Sequence, residues 1–129
     1  MRAFYLLVLF SFNAVGTTCM ISEQTFEEWN EKYDSMINVE IKKSTDGESY
    51  AVLATFPSTI ENKLLSSVLL YLGTKDQPTF SSQLAIFEED GKKAVFYTTN
   101  LKQGPNGYLI AGYGSDCGLD VGKPVVLSK

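Results

Sequence analysis

From Ile37 to Ile41 apolar and polar residues alternate strictly, with Ile37, Val39 and Ile41 set against Asn38 and Glu40. From Glu48 to Phe56 the pattern recurs, placing Tyr50, Val52, Ala54 and Phe56 on one side. A period of two marks a strand with one buried face. Asp46-Gly47 supplies turn chemistry between the runs and Pro57 ends the second, so the pair reads as a β-hairpin. The same reasoning predicts a second hairpin, in which Gln83–Glu88 leads into Asp90-Gly91 and Lys93–Thr99 returns, with Ala94, Phe96 and Thr98 opposite Val95 and Tyr97. Gly104-Pro105-Asn106-Gly107 signals a third turn, followed by short strands over Tyr108–Tyr113 and Pro124–Leu127.

Ser58–Leu72 carries two periods at once. Ser58 and Glu61 have capping-box spacing, and Ile60, Leu64, Leu65, Val68 and Leu72 suit a helix closed by Gly73. Val68–Leu72 also reads as a buried strand, and because its neighbours are strands, a strand is the expectation here. Ahead of the strands, Ser22 or Thr25 can cap a helix, Thr25 forming a capping box with Glu28. Phe26, Trp29 and Tyr33 fall on one face, with Glu27, Glu28 and Glu31 around the rest. One amphipathic helix of about a dozen residues follows, its aromatic stripe packed on the body. The expected fold is mainly β: a small antiparallel β-sandwich or barrel of about six to seven short strands with one N-terminal amphipathic helix.

The first residues read as an address. Arg2 supplies a positive start, Ala3–Phe12 an apolar stretch and Ala14-Val15-Gly16 a small-x-small cleavage site, so residues 1–16 are expected to be a secretory signal peptide and residues 17–129 a single exported β-rich domain, periplasmic or secreted. The apolar stretch is about half of the roughly 20 residues that a membrane span needs. Lipid anchoring through Cys19 is the lesser alternative, because Gly16 stands where an aliphatic residue is wanted. Two cysteines in an exported chain are expected to form one bridge, Cys19–Cys117, closing a loop worth on the order of 4–5 kcal/mol in the chain-entropy picture.

Charge and inventory then exclude several chemistries. The chain has 129 residues with 11 Lys+Arg, 15 Asp+Glu and no His, for a net charge of −4. Arg2 is its one arginine and lies in the signal, so the exported domain would have neither imidazole nor guanidinium. Ser-His-Asp, Cys-His and most zinc mechanisms need the first, and bidentate phosphate or carboxylate clamps need the second. An acidic chain without a basic run is also a poor match for nucleic acid. Gly112–Gly118 resembles a phosphate loop only superficially, lacking its spacing and its helix, and reads as turns around the bridge. Asp116 and Asp120 match no calcium loop, so neither metal nor cofactor is expected.

What remains is surface. Glu88-Glu89-Asp90 forms either a solvated tip or an acidic knob for a cationic partner, with Tyr108, Tyr113 and Asp116 as further contacts. In size, acidity, export and strand content the chain resembles the small periplasmic inhibitors of lysozyme. Some of those carry a Ser-Gly-x-x-Tyr loop, which Asp46-Gly47-Glu48-Ser49-Tyr50 echoes with aspartate in place of serine. Immunity proteins against wall-degrading toxins fit the same description. The expected function is therefore a non-enzymatic exported binding protein, most concretely a periplasmic inhibitor or immunity protein that occludes a cationic cell-wall hydrolase. The alternatives are a structural subunit pairing through strand edges and a carboxylate-dependent hydrolase or small-ligand carrier. Two facing carboxylates or an interior cavity would favour the last pair.

Overall fold

The computed structural model describes residues 21–73, 78–100, 106–115 and 118–127. The signal peptide at residues 1–16, the Cys19–Cys117 bridge, lipidation at Cys19, Gly104-Pro105 and Asp116 lie outside them. Helix α1 (Glu23–Tyr33) and a 3₁₀ turn (Asp34–Met36) precede nine strands. These are β1 (Asn38–Lys43), β2 (Ser49–Phe56), β3 (Thr59–Ile60), β4 (Lys63–Gly73), β5 (Pro78–Leu84), β6 (Phe87–Glu89), β7 (Lys92–Asn100), β8 (Asn106–Tyr113) and β9 (Leu119–Val126). They form two antiparallel sheets, one ordered β1-β2-β7-β6 and the other β3-β4-β8-β9 with β5 also on β4. The described residues are mainly β with one short α-helix.

The first hairpin forms as its alternation dictates. Tyr50, Val52, Ala54 and Phe56 are all buried. Gly47 takes a φ of +75°, which glycine adopts without steric cost, and the Asp46 carboxylate accepts from the Glu48 amide at 2.9 Å. Ser44 donates its hydroxyl to the same carboxylate. Only Ile41 departs from the expectation: β1 is an edge strand, and Ile41 near its far end is 37% exposed.

Two departures raise the strand count from six or seven to nine. Ser58–Leu72 is strand, as favoured, but it divides into β3 and β4 around a turn at Glu61-Asn62, where both residues have positive φ (52° and 64°). Glu61 therefore lies in a turn and closes no helical capping box. Gln83–Glu88, expected as one strand, is cut at Ala85-Ile86, where the chain leaves β5 in one sheet for β6 in the other. Ile86 packs partly buried against the core, and this apolar contact fixes the crossover.

At the start of α1 the Ser22 hydroxyl accepts from the Thr25 amide at 3.1 Å. Thr25 is thus inside the first turn, and the Thr25–Glu28 box does not cap. The aromatic stripe points inward: Tyr33 is buried and Trp29 packs against the core. Tyr33 donates its hydroxyl to Glu61, tying the helix to the β3–β4 turn. The helix lies along β9, and Lys123 on β9 pairs with Asp34 at 2.7 Å.

Inward residues of both sheets share one hydrophobic cluster. Val52, Phe56 and Val95 come from the first sheet; Val68, Leu109 and Val121 come from the second. Burying side chains of this size stabilises by about 1.5–3 kcal/mol each relative to exposure, before chain entropy is set against it.

Candidate functional site

The cluster does not fill the space between the sheets at every edge. Register places Leu72 opposite both Phe80 and Gly107, and Leu70 opposite both Ser82 and Leu109, so Phe80 and Ser82 continue the inward face of β4 onto β5. Across from them, Tyr97 lies on the inward face of β7, paired with Val52. Between these strands is a groove of about 480 Å³, floored by Leu70, Leu72 and Leu84 and walled by Phe80 and Tyr97. Thr79, Ser82 and Thr98 complete its rim, the Thr79 hydroxyl donating to the Leu72 carbonyl at 3.2 Å and that of Ser82 to the Gln83 carbonyl at 3.3 Å, and among the described residues no acid or lysine lines it.

Phe80 is 53% exposed, a large aromatic ring left at the mouth of the groove. Tyr97 is buried, and burial raises its phenol to about 12, so it stays protonated and can both donate and accept at neutral pH. A Cβ on Gly107 would stand 3.2 Å from the Tyr97 hydroxyl; the ring thus spans from one sheet to the backbone of the other. That hydroxyl makes no hydrogen bond among the described residues. Since these bury no unpartnered side-chain oxygen or nitrogen, the hydroxyl is not sealed off, and Tyr97 lines the groove. The groove lies at the β5 edge, opposite the β9 edge that the helix covers.

The residues singled out from the sequence are scattered. Glu88 and Glu89 lie on β6 and Asp90 in the following turn with a φ of +50°. Register sets Glu88 opposite Lys93 and Glu89 opposite Lys92. Lys93 donates to Glu88 at 2.7 Å and holds its carboxyl below the usual range. The tip is therefore nearly balanced in charge, with Asp90 left over. Tyr108 is half-buried beside α1, where its hydroxyl accepts from Asn30 Nδ2 at 3.3 Å. Tyr113 is fully buried and donates to the Pro57 carbonyl at 2.8 Å. Sequence reasoning offered it as a surface anchor; in the fold it is a core side chain, because β8 turns its alternate residues inward through Leu109, Ala111 and Tyr113.

Asp120 sits in a separate shallow hollow with Ile21, Glu23 and Phe26. Partial burial raises its carboxyl above the ordinary value. Gly112 lies opposite both Ser67 and Asp120, and a Cβ built on it would come 2.8 Å from Ser67 Oγ and 3.3 Å from Asp120 Oδ1. Among the described residues no three His, Cys, Asp or Glu side chains converge as metal ligands.

The groove was legible only in part. Val68–Leu72 announced an apolar wall, but Thr79–Gln83 is too polar to read as its continuation, and nothing in the local pattern brings Tyr97 to face it. No protein family, curated protein or solved structure matches the chain.

Proposed function

We propose that the chain is a non-enzymatic exported binding protein whose two sheets form an antiparallel sandwich with a groove where β5 passes β7, and that this groove holds a small apolar ligand. The carrying observation is the groove itself: about 480 Å³, within the range of small-molecule sites, apolar in its floor and bordered by Tyr97 and a few polar residues. An exposed Phe80 at its mouth loses water contact only when something occupies the opening.

The inhibitor or immunity reading depends on a negative tip at Glu88-Glu89-Asp90, and the facing Lys92 and Lys93 remove most of that field. Pairing through strand edges is disfavoured at two of them. The β1 edge carries Glu40, Lys42 and Lys43, and Asn30 on α1 takes up the Gly122 amide of β9.

The test is displacement of a neutral fluorescent naphthylamine from the exported chain, alongside a Ser82→Trp variant that fills the groove from the edge strand. The expected result is saturable one-to-one binding, lost in Ser82→Trp while circular dichroism and thermal midpoint hold. Binding that is absent, or unchanged by Ser82→Trp, would sink the reading. Inhibition of a basic wall hydrolase by both forms alike would restore the earlier expectation.

A further inference from the structure

The shape and lining of the groove say more about its occupant, granted that the groove is a ligand site. Its β5 wall is made by alternate residues, Phe80, Ser82 and Leu84. Four strand rises between the first and last give a length of about 13 Å, while sheets packed face to face stand only about 10 Å apart, side chains included. A ligand lying along this wall would occupy a slot about 13 Å long. An extended alkyl chain advances about 1.3 Å per carbon on bonds of about 1.5 Å, so about ten carbons match the slot.

The head group is constrained by charge. A carboxylate or phosphate buried at the slot would need a cation beside it, and an ammonium would need an acid. Among the described residues the lining has neither, and the chain carries a net charge of −4, which repels anions in general. The lining does include Tyr97, whose hydroxyl no described residue engages. A hydroxyl is satisfied by a group that can donate and accept in turn.

We propose that the groove binds a single unbranched alkyl chain with an uncharged hydroxyl-bearing head, the chain lying along β5 over Leu70 and Leu72 and the head meeting the Tyr97 hydroxyl. The hydrophobic floor supplies affinity. Tyr97 supplies selectivity among heads.

The experiment is a titration of the exported chain with octanol, nonanol, decanol, dodecanol, and decanoate, each displacing the neutral naphthylamine. Each added methylene should tighten binding about three- to fourfold up to about decanol, then no further. Decanoate should bind at least about tenfold more weakly than decanol, since its charge would lie unpaired. Tyr97→Phe should weaken decanol about three- to tenfold more than it weakens the naphthylamine. Decanoate matching decanol, affinity indifferent to chain length, or Tyr97→Phe without effect on decanol would each overturn this assignment while the groove reading stands. If the naphthylamine itself does not bind, both fall together.

Discussion

Asn30 on helix α1 accepts a hydrogen bond from the backbone amide of Gly122 at 2.6 Å, binding the helix to an edge strand 92 residues away in sequence. The same amide group donates from Nδ2 to the Tyr108 hydroxyl at 3.3 Å. One side chain thus satisfies an edge N–H that no described strand pairs, and fixes the aromatic ring beside it. Asn30→Ala should cost about 1–3 kcal/mol in urea unfolding, because the Gly122 amide loses its acceptor in a partly buried place. Asn30→Asp keeps the acceptor and should lose less. Equal losses for both would show that the Gly122 bond is not the one that matters.

Gly122 is constrained from its other side by the same ring. A Cβ there would come 2.2 Å from the Tyr108 hydroxyl oxygen and 2.7 Å from two of its ring carbons. Gly122→Ala should therefore destabilise by about 1–3 kcal/mol through overpacking. Pairing it with Tyr108→Ala should recover part of the loss in a double-mutant cycle. Additive losses would mean the ring does not set the limit.

The β3–β4 turn places Asn62 at φ +64°. Asparagine tolerates this region and glycine prefers it. Asn62→Gly should raise stability by a few tenths of a kcal/mol at most in equilibrium unfolding, relief of the left-handed φ being offset by a freer unfolded chain, whereas Glu61→Gly should lower it, because Glu61 also accepts the Tyr33 hydroxyl. A gain at both positions would mean the Tyr33 bond contributes nothing.

These turns also show where reading the sequence succeeds. Asp46-Gly47 and Asp90-Gly91 are local chemistry: a short acidic side chain and a glycine favour a reversal whatever lies around them, and both hairpins form. Glu61-Asn62 carries a weaker signal, and Ser58 three residues before Glu61 offers a helical alternative that only the pairing of β4 with β8 and β5 defeats. Tyr108, Tyr113 and Tyr97 have the same composition signature. Their fates differ because one is set beside a helix, one is turned into the core and one faces an open edge, and those are properties of strand order. The groove belongs to that second class, since its two walls come from different sheets.

Asp120 gives the fold a testable pH signature. Its folded carboxyl lies above the ordinary value because burial disfavours the charge, with Glu23 lining the same hollow as a further acid. For a raised acid, the contribution to stability is fully present below the unfolded value, near 3.8, and is lost as pH rises through the folded one. Asp46 and Glu88, held low by hydrogen bonds from Ser44 and from Lys93, act in the opposite sense and lose stability as pH falls. The raw pH profile therefore mixes both signs, and the informative quantity is the difference between the protein and Asp120→Asn. That difference should grow in favour of Asn from about pH 4 upward and flatten once the carboxylate is fully ionised. A difference independent of pH would place Asp120 in water.

Tyr113 supplies the sharpest contrast with a surface role. It is fully buried, its hydroxyl spends its proton on the Pro57 carbonyl, and burial raises its phenol well above the ordinary value of 10.0. Tyr97 is raised as well, to about 12. In an alkaline spectrophotometric titration of the seven tyrosines, these two should lag behind the exposed ones, and Tyr113→Phe should remove one of the late ionisations. The linkage sign follows: a phenol raised by folding stabilises fully below its unfolded value and ceases to do so as pH climbs through the folded one. Tyr113→Phe should also cost about 1–3 kcal/mol at neutral pH, since the Pro57 carbonyl loses its donor in a dry place. If Tyr113 ionises with the exposed tyrosines and its substitution leaves stability unchanged, β8 does not turn this residue inward and the register of the second sheet is wrong.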